Sequence, residues 1–277
     1  MKDFSLFDST FSLSKMTAYS LSLEIDYNKI IYAIVDNIRK RFVALTHHRF
    51  ENQLNSKTFL DTIDAYIKKD TYLQKHYKSV DFIYPSPKFM LIPEAYFDKK
   101  YIKKIFMADN RLEEGEELQF NYIEGIKSYI IFAIPSDLTN FFIDHFPEIS
   151  FYHQGIPLLN NYLNLSKKES DTLVALNFRA NLMLDIIITH QGKLLFFNSY
   201  TCNNSDEGFY YISRVLKDYG YNTQIELLGE IEKDTPMYKR LTEYYPKIRF
   251  AQIREDYEFK LGKNLPVHYF VNLFHIV

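Results

Sequence analysis

The sequence predicts an α/β protein of two similar halves, the first carrying a small inserted α+β subdomain. A three-strand meander occurs twice, at residues 21–50 and 173–202. The meander starts, 21 and 173, and the third strands, 41 and 193, differ by the same 152 positions, so one offset aligns all three strands without a gap. After each meander the same order follows, a helical pattern and then a strand. Between the copies lies a segment of different pattern. The first half is therefore expected over residues 1–165, with the insert at about 86–135, and the second over 166–277.

Residues 1–19 are polar and Ser-rich and read as a partly extended lead-in. The first meander is 21–26 (LSLEID), 29–36 (KIIYAIVD) and 41–50 (RFVALTHHRF), with turns at Tyr27-Asn28 and residues 37–40. Short β-rich runs broken by Asx and Gly positions are the hairpin signature. Asn55-Ser56 offers an N-cap, and Phe59, Ile63, Tyr66, Ile67 and Leu73 recur at helical spacing, predicting a helix to about Tyr77. Residues 81–84 (DFIY) read as a short strand closed by Pro85-Ser86-Pro87.

Inside the insert, residues 88–92 (KFMLI) read as a strand stopped by Pro93. Residues 98–109 read as a surface helix, with Tyr101, Ile102, Ile105 and Phe106 on one side and Lys99, Lys100, Lys103 and Lys104 around the rest. Residues 111–117 are charged and loop-like, and 118–124 and 128–135 pair as a hairpin about Gly125. Ser136 is placed to cap a helix carrying Leu138, Phe141 and Phe142, with Pro147 just beyond its end. Residues 149–153 read as a strand, and Pro157 suits the first turn of a helix over 155–163.

The second meander is 173–178 (LVALNF), 182–190 (LMLDIIITH) and 193–202 (KLLFFNSYTC), joined by Arg179-Ala180-Asn181 and Gln191-Gly192. Asn204 and Glu207 resemble a capping box. Phe209, Ile212, Val215, Leu216 and Tyr219 form the buried stripe that follows, and Gly220 is its stop. Residues 223–228 (TQIELL) read as a strand ending at Gly229. Asp234-Thr235-Pro236 starts a helix with Met237, Leu241 and Tyr244 facing inward, Pro246 ends it, and 248–253 is the next strand. The apolar tail 267–277 (VHYFVNLFHIV) reads as a helix rather than a strand.

With 277 residues, a formal charge of −2 and 47% hydrophobic residues, the composition is that of a globular chain large enough for two domains. The balanced charge argues against a general polyanion binder, so no specific nucleic acid is expected. No apolar run approaches the roughly 20 residues of a membrane helix, so no membrane insertion is expected. The first residues, MKDFSLFDSTFSLSKM, lack the apolar core of a signal peptide. The single Cys202 excludes an internal disulfide framework and a cysteine zinc site. A cytoplasmic protein is the expectation. The 23 Tyr and 24 Phe read as base composition rather than as a sticky surface, since Phe, Tyr, Ile, Lys and Asn share A/T-rich codons.

The order of elements resembles the actin-like ATPase superfamily, two ribonuclease-H-like halves around a cleft. In layout it is most similar to the pilus-assembly actin-like proteins and their secretion and cell-division relatives, and to a bacterial family of unknown function assigned this fold. Phe82-Ile83-Tyr84-Pro85, through Leu91-Ile92-Pro93 to the helix at 99–106, resembles the entry into their inserted subdomain. Residues 129–135 (YIIFAIP) resemble the strand before their next helix. Leu227-Leu228-Gly229, a polar loop, Pro236 and then Leu241 resemble their adenosine motif. The resemblance runs from about Leu21 to Phe250 by element order.

For an active member, the resemblance implies ATP and Mg²⁺ held by two Asp-x-Gly loops, one at the first hairpin turn of each half. Glycine lets backbone N–H groups approach phosphate, and the carboxylate holds the metal or its water. Here the first loop, Asp26-Tyr27-Asn28, keeps the acid and replaces Gly by Asn, and the second, Phe178-Arg179-Ala180, has neither. Gly229 stands alone where the family usually has two glycines. A metal-dependent phosphoryl site needs those donors together. The expectation is thus a catalytically degenerate actin-like protein, a scaffold or binding partner of an unknown protein, with little or no ATP hydrolysis and no assigned catalytic or metal residue. Asp26, Asn28, Arg179 and Gly229 are the cleft positions that would meet a nucleotide bound without cleavage. An active ATPase, a homo-oligomer or filament, and a ribonuclease-H-type nuclease remain alternatives.

The nuclease needs further acids around a metal pair, and Asp36 and Asp185 sit on second strands with nothing to place them beside Asp26. His47 and His48 are adjacent on a strand, so their side chains point to opposite faces and do not share an ion. The Lys99–Lys104 cluster could touch nucleic acid or anionic lipid, but a solvated helix face is its ordinary explanation. No G-x-S-x-G, P-loop or H-E-x-x-H occurs.

Overall fold

Apolar, β-branched runs bounded by Asx, Gly and Pro make most of the strands. The computed structural model describes residues 1–26, 28–50, 58–219, 223–253, 257–262 and 265–276. The first part of the chain gives β1 (Phe4–Phe7), β2 (Tyr19–Asp26), β3 (Lys29–Asp36), β4 (Arg41–Arg49), α1 (Phe59–Lys69) and β5 (Ser79–Tyr84). Next come β6 (Phe89–Pro93), α2 (Ile102–Phe106), β7 (Glu116–Ile123), β8 (Ser128–Pro135), α3 (Ser136–His145), β9 (Ile149–His153) and α4 (Gly155–Ser166). The remainder gives β10 (Leu173–Arg179), β11 (Met183–His190), β12 (Lys193–Thr201), α5 (Ser205–Leu216), β13 (Gln224–Gly229), α6 (Pro236–Tyr244), β14 (Ile248–Phe250), β15 (Glu258–Phe259) and α7 (Val271–His275).

The strands form three sheets, ordered β1-β4-β3-β2-β5-β9 with β15 also on β4, then β12-β11-β10-β13-β14, and β6-β8-β7. In the first sheet β4, β3 and β2 are antiparallel, and β5 and β9 add parallel. The second repeats that order and those directions with β12, β11, β10, β13 and β14. Parallel neighbours need a crossover, which α1 supplies between β2 and β5 and α5 between β10 and β13. Helices α4 and α7 pack on each other, α4 against β10 and β11 and α7 against β2 and β3, so they lie between the two larger sheets. Phe270, Leu273 and Phe274 fix the tail there and are essentially fully buried. Each such side chain contributes about 1.5–3 kcal/mol of burial.

The single offset between the meanders does not survive the pairing. Asp26 faces Lys29 across a two-residue turn, whereas Arg179 faces Met183 across three residues. Asp36 faces Arg41 across four residues, and His190 faces Lys193 across two. With the apolar faces superposed, the first strands are 153 positions apart (Asp26 to Arg179), the second 154 (Lys29 to Met183) and the third 152 (Arg41 to Lys193). Loop lengths that cancel in part made three steps look like one.

Other boundaries move for local reasons. The lead-in includes an edge strand, β1, and a 3₁₀ turn at Leu13–Ala18. Helix α1 stops at Lys69, eight residues short of Tyr77, because the Asp70 carboxylate takes the backbone N–H groups of Tyr72 and Leu73 and turns the chain. The lysine-bearing helix is only five residues, Ile102–Phe106. Glu116 and Glu117, expected in a loop, open β7 opposite Pro135 and Ile134. Ser136 is the first residue of α3 rather than its cap, and its hydroxyl donates to the Gly115 carbonyl at 2.6 Å. In α6, Tyr244 is 56% exposed, and Tyr245, one residue on, packs into the core. The last parallel strand keeps only Ile248–Phe250. The expected cap at Asn55-Ser56, the stop at Gly220, and Tyr27 lie outside the described residues.

Candidate functional site

A cleft of about 450 Å³ opens where the β2–β3 turn, the β10–β11 turn, the end of β13 and α7 converge. Alternation along β2 aims Glu24 and Asp26 to one side, and β3 begins with Lys29, so the first hairpin brings two acids and a cation to the cleft. From the second sheet come Asn177 and Arg179 at the end of β10, and Gly229 and Glu230 where β13 ends.

Lys29 is the hub. It is 7% exposed, and its ammonium donates to Glu230 Oε1 at 2.6 Å, a residue of the other sheet 201 positions away. The same ammonium lies 3.8 Å from Asp26 Oδ2. Burial works against this charge, but Glu230, Glu24 and Asp26 outweigh it and hold the Lys29 pKa above its ordinary value. Burial also raises Asp26, against the pull of Lys29 and of the Asn28 N–H that donates to Asp26 Oδ1 at 2.8 Å. Glu24 is raised by burial as well, and its Oε2 accepts from Asn272 Nδ2 of α7 at 3.2 Å.

Arg179 is held from within its own sheet. Its side chain is 9% exposed, and Nε lies 3.3 Å from Asp185 Oδ2 of β11, an ion pair without hydrogen-bond geometry. Nη2 reaches the Met183 sulfur at 3.2 Å, and Nη1 has no acceptor. Asp185, fully buried, also accepts from Ser199 Oγ at 2.5 Å and from Asn177 Nδ2 at 2.9 Å. Gly229 is required by a close approach. Its φ is +74°, and a Cβ there would meet the Phe178 carbonyl oxygen at 2.0 Å. That carbonyl accepts the Glu230 N–H at 2.7 Å.

Of the four positions singled out from sequence, Asp26, Arg179 and Gly229 line the cleft. Asn28 does not; its N–H serves Asp26, its carbonyl accepts from Phe50 N–H at 2.8 Å, and its buried Oδ1 has no partner. Lys29, Glu230, Glu24 and Asn272 were not foreseen. Lys29 and Glu230 each follow a singled-out loop directly, but nothing local joins two residues so far apart.

Asp36 lies at the far end of β3 from Lys29, where its carboxylate takes the Arg39 N–H at 3.0 Å, and Asp185 is engaged with Arg179, so these acids do not gather around Asp26. Among the described residues, no group of three or more His, Cys, Asp or Glu is placed to hold a metal ion. His47 is buried and pushed down to about 4, first by burial and then by Lys29, while His48 Nδ1 sits 2.6 Å from Asp3 on the other side of the strand. Of the lysine cluster, Lys99 lies over the Phe120 ring and Lys100 over Tyr101.

The family described as "Protein of unknown function (DUF3822)" matches residues 8–248. A Bacteroides thetaiotaomicron protein of unknown function with an actin-like ATPase fold superposes with a TM-score of 0.79 at 20% identity, covering 88% of this chain and 94% of that one. The PilM–PilN type IV pilus biogenesis complex gives a TM-score of 0.63 at 11% identity, over 93% of this chain and 96% of that one. The ethanolamine utilization protein EutJ from Carboxydothermus hydrogenoformans gives 0.50 at 7%, over 97% and 92%. No curated protein sequence matches the chain. These likenesses establish the actin-like ATPase fold. Among the described residues, no helix is long and apolar enough to cross a membrane.

Proposed function

We propose that this chain, which belongs to the DUF3822 family of proteins of unknown function, is an actin-fold scaffold or binding partner that does not hydrolyse ATP. The observation that carries this reading is the Lys29–Glu230 ion pair, 2.6 Å long and thrown from the first sheet's hairpin to the second sheet's Gly229 loop. In an active member the resemblance puts phosphates and a metal between those loops. Here an ammonium with Asp26 and Glu230 about it fills that role electrostatically.

ATP–Mg²⁺ fits these residues poorly. The acid that would hold the metal or its water is 3.8 Å from Lys29. Asn28 stands in place of glycine and carries a Cβ where an open backbone is wanted. On the second hairpin the pairing puts Arg179, rather than Phe178, in the place of Asp26, and Arg179 is paired with Asp185. Gly229 spends its conformational freedom on the Phe178 carbonyl. The two halves read as copies of one module whose phosphate grip has been replaced by side-chain pairs. A protein partner is in keeping with the PilM–PilN complex among the similar structures.

Phosphate release from ATP–Mg²⁺ tests this reading. The chain is expected to release none above the buffer rate, and Asp26→Ala is expected to leave that unchanged. Turnover that Asp26→Ala abolishes would establish an enzyme instead.

A further inference from the structure

The two larger sheets treat equivalent edges differently. In the first sheet, β4 is covered on its outer side by β1, antiparallel from Phe4 opposite His47 to Phe7 opposite Ala44, and by β15 at Arg41 and Phe42. Six consecutive residues of β4 are buried. In the second sheet β12 holds the place of β4, and each strand bulges at one residue, Val43 and Leu195, 152 positions apart. Yet among the described residues no strand pairs with the outer side of β12, and none of its nine residues is buried.

We propose that the outer edge of β12 receives an extended segment of a partner protein, antiparallel to it, with alternating apolar side chains and a carboxylate that meets Lys193. The chemistry of the occupant follows from what covers β4. There Arg41, the first residue of the strand, meets Asp8 at 3.4 Å, immediately after the strand Phe4–Phe7 with its inward Phe4 and Leu6, and also Glu258. Lys193 occupies the same place in β12, is exposed, and has no ion-pair partner among the described residues. The Lys167 stem packs beside the adjoining turn at Gly192 and adds a second cation at that end.

Natural sheet edges are usually defended by charge, proline or a cover. Apart from Lys193, β12 (KLLFFNSYT) carries no charge and no proline. The outer edge of β9, by contrast, is capped by Asn121, which donates to the Phe151 carbonyl and accepts the His153 N–H, both at 2.9 Å. At the far end of β12, Tyr200 stacks on Tyr211 with centroids 4.3 Å apart, and Tyr210 beside it is 59% exposed, an aromatic ledge of the kind enriched at interfaces. A second copy fits less well. Two β12 strands paired antiparallel bring no carboxylate to Lys193, since residues 193–203 contain no acid. A second copy's β1 would have to abandon its own β4.

The probe is a synthetic peptide with the sequence of residues 3–9, DFSLFDS, titrated into the full chain and followed by amide hydrogen exchange. With free peptide at about ten times its Kd, the unliganded population falls about tenfold, and exchange within residues 195–201 is expected to slow in proportion. Lys193→Glu should abolish the effect, and a peptide carrying Asp8→Lys should restore it on that variant. Unchanged exchange in β12, or slowing confined to β1 and β4, would overturn the proposal. Protection of β12 that grows with protein concentration without peptide would assign the edge to a second copy and overturn the partner named here.

Discussion

Gly229 shows how one residue can be legible for its type and not for its reason. It stood out as the single glycine of an adenosine-like loop. Its place is set by a positive φ and by the Phe178 carbonyl, 2.0 Å from where a Cβ would stand. Gly229→Ala must therefore move backbone, and it is expected to lower the free energy of unfolding by about 3–5 kcal/mol, read from urea midpoints at constant m. Asp81 makes a second prediction at this scale. Burial alone pushes its carboxyl up to about 6. Because the folded pKa lies above the unfolded one, the unfolded chain loses this proton first as pH rises. Asp81 therefore takes stability away between about pH 4 and pH 6, and the loss persists above that window. Asp81→Asn is expected to raise stability at pH 7 and not at pH 3.5, as urea unfolding at the two values would show. Asp26 and Arg179 were found as loop residues; the Lys29–Glu230 pair was not, because it is made only when the first hairpin and the loop after β13, with the two residues 201 positions apart, face each other.

Elements whose signals are local were legible. The N-terminus of α5 is one. Asn204 Oδ1 accepts the Glu207 N–H at 2.9 Å, as the capping pattern predicts, although the returning arm from Glu207 Oε2 goes to Asn203 N–H at 2.8 Å rather than to Asn204. Asn204→Ala should cost about 1 kcal/mol, and thermal unfolding should register it as a lower Tm at unchanged far-UV helicity. The hairpin strands of both meanders, β7 with β8, and the tail helix α7 follow the same pattern of local legibility. Elements decided by distant partners were not. β1 and β15 are strands because β4 offers them an edge, and two to four residues carry too little periodicity to announce that. Asp70 ends α1 by a side-chain turn, while the apolar spacing runs on through Leu73 and Tyr77, both of which are buried without being helical.

At the scale of the molecule, the order of elements was readable because each meander is followed by the same signals, a helix and then a strand; that the two large sheets share strand order and direction comes from the structure. The relation between the sheets was less readable, since turns of different length disguised three offsets as one. What the cleft contains depends on that relation. With the sheets facing across α4 and α7, the first hairpin's Lys29 reaches Glu230 just beyond the end of β13, and Arg179 turns to Asp185 in its own sheet. Charges that the resemblance would assign to phosphate and metal are met by side chains of the chain itself. The most direct measurement of that claim is a calorimetric titration of the full chain with ATP–Mg²⁺. The account predicts no binding heat beyond dilution at millimolar nucleotide. Saturable binding in the micromolar range, with or without turnover, would contradict it.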